Sequence, residues 1–100
     1  MTTPEQTAYI LERAAEIVEE GWCQGNDEFA GRHCILGAVN VATGMEPGHY
    51  PSCAGLAALR RTQKTTGYDN LWIWNDEHGR TKAEVVCALL DTAASLRGGA

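Results

Sequence analysis

Basic residues are scarce: 8 Lys and Arg stand against 13 Asp and Glu, a formal net charge of −5. That balance speaks against a nucleic-acid or anionic-membrane module, because either needs a basic patch as its electrostatic footprint. Long apolar runs are also missing, since no stretch approaches the roughly 18 residues of a membrane span. The opening Met1-Thr2-Thr3-Pro4-Glu5 shows neither the basic region nor the apolar stretch of a secretion signal. A cytoplasmic location is therefore expected. No repeat, low-complexity segment or internal domain boundary interrupts the 100 residues, which suit a single domain. The 44% apolar content is ordinary for a globular chain and argues against disorder.

The four cysteines, Cys23, Cys34, Cys53 and Cys87, contain no C-x-x-C pair. Reduced structural thiols are the expected reading in a chain without a leader. Cys23, His33, Cys34, His49 and Cys53 would supply enough donors for a tetrahedral zinc site. They lack the close pairing, C-x₂₋₄-C or H-x₃₋₅-H, that pre-forms half of such a shell. No metal and no cofactor is expected.

Apolar periodicity predicts an all-α domain of four main helices, over roughly 4–20, 34–43, 53–66 and 82–97. In the first, Thr3, Pro4 and Gln6 form a capping-box start. Ile10, Leu11, Ala14, Ala15, Ile17, Val18 and Trp22 then share one side and five glutamates the other. Residues 23–33 read as a loop with at most one helical turn. Cys34–Thr43 is apolar nearly all round, so it belongs at the centre of the domain, with Gly37 expected to admit a neighbouring helix closely. A parallel strand is the rival reading of Ile35–Val41. Asn40, if buried there, must be hydrogen-bonded.

Ser52 is a plausible cap for the third helix, with Leu56 and Leu59 facing one way and Arg60, Arg61 and Lys64 forming a basic edge that suits an acidic surface. Gly67 closes it as a left-handed glycine. Leu71-Trp72-Ile73-Trp74 is too short to classify by period and is read as an irregular Trp-rich connector, helical or extended. Thr81 and Glu84 form a second capping box, and Val85, Val86, Leu89, Leu90, Ala93 and Leu96 are expected on the inner face of the last helix.

Two constellations invite chemistry. Cys34 at a helix start, beside His33 as a base, is the weak candidate for a thiol-dependent hydrolase, since a helix N-terminus favours thiolate. Neighbours on a helix project about 100° apart, however, and no oxyanion hole is evident. The second constellation is Trp22, Trp74, Asn75, Asp76 and His78, with Trp72. Aromatic walls and a few polar groups near Trp72, Trp74 and Asp76 suit a ligand or partner site. The plainer account has the tryptophans supplying core area and the Asn-Asp pair closing a turn. No convincing catalytic set assembles, so a non-enzymatic protein-binding module is the expected function, with a protein partner or self-association.

Trp22 with Gln24-Gly25, Cys34-Ile35-Leu36-Gly37-Ala38, Trp74-Asn75-Asp76, Arg80-Thr81 and Glu84-Val85 together resemble a family of small uncharacterised proteins from actinobacteria and their bacteriophages. The resemblance runs over about residues 8–96 and carries no assigned activity, cofactor or catalytic residue. It implies a cytoplasmic setting in a bacterial or phage-infected cell. A phage-encoded protein of this size often acts by binding a host protein.

Overall fold

The structure, a computed structural model, describes residues 2–98. The first helix, α1 (Pro4–Glu20), starts as its sequence dictates: Gln6 N–H donates to Thr3 Oγ1 at 3.1 Å, and Thr3 N–H to Gln6 Oε1 at 2.9 Å. Its buried stripe is Thr7, Ala8, Leu11, Ala14, Ala15, Ile17 and Val18, while the glutamates keep to the surface. A short antiparallel hairpin follows, β1 (Glu28–Phe29) and β2 (Arg32–His33), where one helical turn at most was expected. The hairpin turns at Ala30 and Gly31, both at positive φ, a conformation the residue pattern of 23–33 does not advertise.

Helix α2 (Ile35–Ala42) settles the rivalry with a strand in favour of the helix. Ile35, Ala38 and Val39 are fully buried among α1, the third helix and the hairpin, which places this segment at the centre as its composition predicts. Cys34 is its N-cap rather than its first residue. Asn40 is 3% exposed, and its Nδ2 donates to the carbonyls of Glu46 and His49 at 3.3 and 2.8 Å, tying down the 43–51 connector.

Gly37 has a different use from the one expected. What approaches it is the Asp27 backbone: a Cβ at residue 37 would overlap the Asp27 carbonyl oxygen. The segment leading into the hairpin, not a helix, requires the glycine.

Helix α3 (Cys53–Thr66) is capped by Ser52 and closed by Gly67 at φ 77°, the left-handed stop its sequence predicts. Its core stripe is Gly55, Ala58, Leu59 and Thr62; Leu56 borders the same recess as Leu59 but stands 40% exposed at its edge. Residues 71–76 are not an irregular connector. They form a fifth helix among the described residues, α4 (Leu71–Asp76), because Asn70 Oδ1 accepts the Ile73 N–H and supplies a cap. Helix α5 (Lys82–Leu96) begins at the Thr81–Glu84 capping box and packs along α1. Val85, Ala88, Leu89, Thr92 and Ala93 are buried, whereas Leu90, expected inside, is 44% exposed. The architecture is all-α with one small hairpin.

Candidate functional site

The chain leaving α1 runs extended through Trp22 and bridges β2 in parallel: His33 N–H donates to Gly21 O and Cys23 N–H to His33 O, at 3.0 and 3.2 Å. This aims the Trp22 indole at α4, where Asn75 is fully buried. Asn75 Oδ1 accepts from Trp22 Nε1 at 2.8 Å and from Ile35 N–H, the first turn of α2, at 3.0 Å. Its Nδ2 donates to Cys23 O at 3.1 Å and to Asp76 Oδ1 at 2.9 Å. One carboxamide has four polar positions, and here all four are used.

Gln24 and Asp76 complete the clamp. Gln24 Nε2 donates to the carbonyls of Asn75 and Glu77 at 3.0 and 3.1 Å, and Gly25 N–H donates to Asp76 Oδ1 at 3.0 Å. Trp22, Asn75 and Asp76 are thus brought together and bond one another and the backbone, with Trp74 beside them on α4 making no side-chain hydrogen bond among the described residues. Asp76 serves a chain segment far away in sequence, not the local turn its position suggests. Trp74 is 6% exposed, with the Arg80 guanidinium 4.2 Å from its ring centroid and Arg80 Nε donating to its carbonyl at 2.9 Å. His78 is exposed and makes no hydrogen bond among the described residues, and Trp72 lies on the outer side of α4, so neither joins the cluster. Gln24, which links α4 to the loop after α1, is not among the candidate site residues; its one signal in the sequence is the Trp22 with Gln24-Gly25 motif of the family resemblance.

Cys34 is a buried thiol at the start of α2. It is 2% exposed, and burial pushes its thiol up to about 12, with the Asp27 carboxylate adding to the rise and the Gly37 N–H opposing it. The helix N-terminus that should favour thiolate is therefore outweighed by desolvation. Its Sγ accepts from Gly37 N–H at 3.4 Å and donates to Asp27 Oδ1 at 3.6 Å, acting as a sulfur cap for α2. His33 makes no bond to it among the described residues, and its Nδ1 is buried without a partner. Cys23 is also raised, chiefly by burial. Among the described residues no three His, Cys, Asp or Glu side chains gather as metal ligands would. No described helix is long and apolar enough to cross a membrane.

Free chemistry lies on the outer surface instead. Of the 8 cations, Arg13, Arg80, Lys82 and Arg97 are in ion pairs with Glu16, Glu84, Glu19 and Glu12. Arg60, Arg61 and Lys64 are exposed, sit together on α3 and have no ion pair among the described residues. Beside them a recess of about 260 Å³ runs between α3 and the start of α4, with Leu36, Leu56, Leu59 and Leu71 as its apolar lining and Arg60, Gln63, Asp69 and Asn70 at its polar edge. The spacing Leu56, Arg60, Lys64 is the sequence signal for this strip, because residues four apart stack on one helix face.

No curated protein matches the chain, and no solved structure does. A family model matches residues 2–96, nearly the whole length. The chain belongs to the family of unknown function DUF6197.

Proposed function

We propose that this protein is a non-enzymatic protein-binding module whose docking surface is the α3–α4 face, and that its partner presents an acidic amphipathic helix. The observation that carries this reading is the trio Arg60, Arg61 and Lys64, unpaired among the described residues beside an apolar recess. A volume of about 260 Å³ accepts one or two aliphatic side chains, and arginine beside an apolar anchor is the composition enriched at interface centres. Three cations are too few for useful nucleic-acid affinity, which rests on many phosphate contacts and weakens steeply with salt. The remaining acidic surface repels a polyanion further.

The setting belongs to the same proposal: the module works in the cytoplasm of an actinobacterial or phage-infected cell and its target is a host protein. Its four thiols, all free, suit a reducing compartment. The test is an NMR titration of the ¹⁵N-labelled protein with a synthetic helical peptide carrying leucine at every fourth position and flanking glutamates. Shifts at Leu36, Leu56, Arg60, Lys64 and Leu71 are expected. Shifts confined to Trp22, Asn75 and His78, or none at all, would refute the assignment.

A further inference from the structure

We propose that a second copy of this chain also occupies the α3–α4 face, presenting the groove between its α1 and α5, so that copies join head to tail. This rests on the reading of α3 as a docking surface and names one occupant for it. The groove has a volume of about 640 Å³, with Ala15, Val86 and Leu90 on its apolar side and Glu12, Glu16 and Glu20 on the other. Leu90 stands 44% exposed in it, a large apolar side chain left uncovered.

The two surfaces match in spacing as well as in charge. Leu56, Arg60 and Lys64 repeat every four residues on α3, as Glu12, Glu16 and Glu20 do on α1. Both rows therefore advance by about 6 Å per step, and laid parallel, with Leu56 at the Glu12 end, Arg60 facing Glu16 and Lys64 facing Glu20, they can pair without distorting either helix. Leu56 then enters the groove over Ala15, Val86 and Leu90, while Arg60 and Lys64 each meet a carboxylate. Glu20 has no ion pair among the described residues. Glu16 remains 68% exposed despite its contact with Arg13, and Glu12 is held by Arg97 at 2.8 Å. Exposed pairs of this kind are worth about 0–1 kcal/mol, so an incoming guanidinium can share them.

No residue lining the groove lines the recess, so the contact is heterologous. It generates a ring or an open chain rather than a closed twofold dimer. The net charge of −5 sets copies against each other at long range, so the contact acts only when the two strips are close. An acidic partner helix would compete for the same α3 strip, and binding it would release the copies from one another.

Sedimentation equilibrium over rising concentration tests this with a charge swap. The wild type is expected to climb above the mass of one chain by twofold or more. Arg60→Glu with Lys64→Glu, and separately Glu16→Lys with Glu20→Lys, should each stay at one chain, with unchanged helical circular dichroism because all four positions are on the surface. Mixed in equal amounts, the two double variants regain complementary strips and should associate as the wild type does. A wild type that holds the mass of one chain throughout, a double variant that associates normally, or a mixture that fails to associate would each overturn the inference. If the wild type stays at one chain but still binds the acidic peptide at α3, only the self-association falls. If the peptide fails as well, the docking reading falls with it.

Discussion

Replacing Asn75 with alanine removes a side chain that ties α2 and α4 to the loop after α1. Four hydrogen bonds end on its carboxamide, and the loss is unequal among them. The Ile35 N–H lies in a buried bond and gains no substitute donor or acceptor, which costs about 1–3 kcal/mol. The bonds to Trp22, Cys23 and Asp76 are part-buried, so water recovers some of each, leaving roughly 0.5–1 kcal/mol apiece. The sum is about 2.5–6 kcal/mol, a large share of the roughly 5–15 kcal/mol that holds a domain folded.

In urea the midpoint should fall by about 2 M, with the slope unchanged at roughly 1.5–2 kcal/mol/M. A fall worth less than about 1 kcal/mol would refute the idea that this carboxamide organises the junction. Asn75→Asp sharpens the test. It keeps the acceptor for Trp22 and Ile35 but loses both donors and faces the Asp76 carboxylate. Burial and like charge raise the pKa of the new carboxyl when folded, so the folded state holds its proton more tightly than the unfolded chain. Stability then rises as pH falls through the carboxylate range, opposite to the usual acid destabilisation.

Asp76→Ala removes the acceptor for Gly25 N–H and Asn75 Nδ2 and should lower stability by about 1–2 kcal/mol, read as a melting-temperature shift, while leaving peptide binding at α3 intact. Gly37→Ala forces a methyl into the Asp27 carbonyl and should cost about 1–3 kcal/mol with displaced hairpin amide shifts; a silent substitution would contradict the close approach. Iodoacetamide should label exposed Cys53 and Cys87 quickly and Cys34 only at the rate of unfolding, and equal rates would revive the nucleophile reading. Because the folded Cys34 thiol is raised to about 12, the folded state retains a proton the unfolded chain releases. Stability should fall as pH climbs from about 9 toward 12, by up to ~1.4 kcal/mol per unit, and Cys34→Ser should remove that component.

What the sequence makes legible follows local rules. The starts of α1, α3 and α5 are written in Thr3, Ser52 and Thr81, because a capping side chain acts within three residues of itself. Gly67 is equally local. The misreadings all need distant partners. Leu71–Asp76 forms a helix of only six residues, too short to show a period, and what holds it is Asn75 bonding Trp22 and Ile35. Gly37 looked like a helix-packing glycine because nothing nearby announces that Asp27 folds back onto it. Periodicity puts Leu90 inside, yet the actual stripe of α5 is set by which neighbours pack there. Trp22, Asn75 and Asp76 stand out in the sequence, but only the hydrogen-bond geometry shows that they satisfy each other.

The central proposal is that this protein acts through the α3 cations Arg60, Arg61 and Lys64, unpaired among the described residues, and not through its conspicuous Trp-Asn-Asp segment. Fluorescence anisotropy of the labelled acidic peptide, titrated with wild type and with Arg60→Glu/Lys64→Glu, measures it directly. Lys82→Glu/Arg97→Glu, the same charge change on a different face, serves as the control. The account predicts at least tenfold weaker binding for the α3 variant, about 1.4 kcal/mol, and near wild-type binding for the control. Equal affinity for wild type and the α3 variant, or an equal loss in both variants, would contradict it.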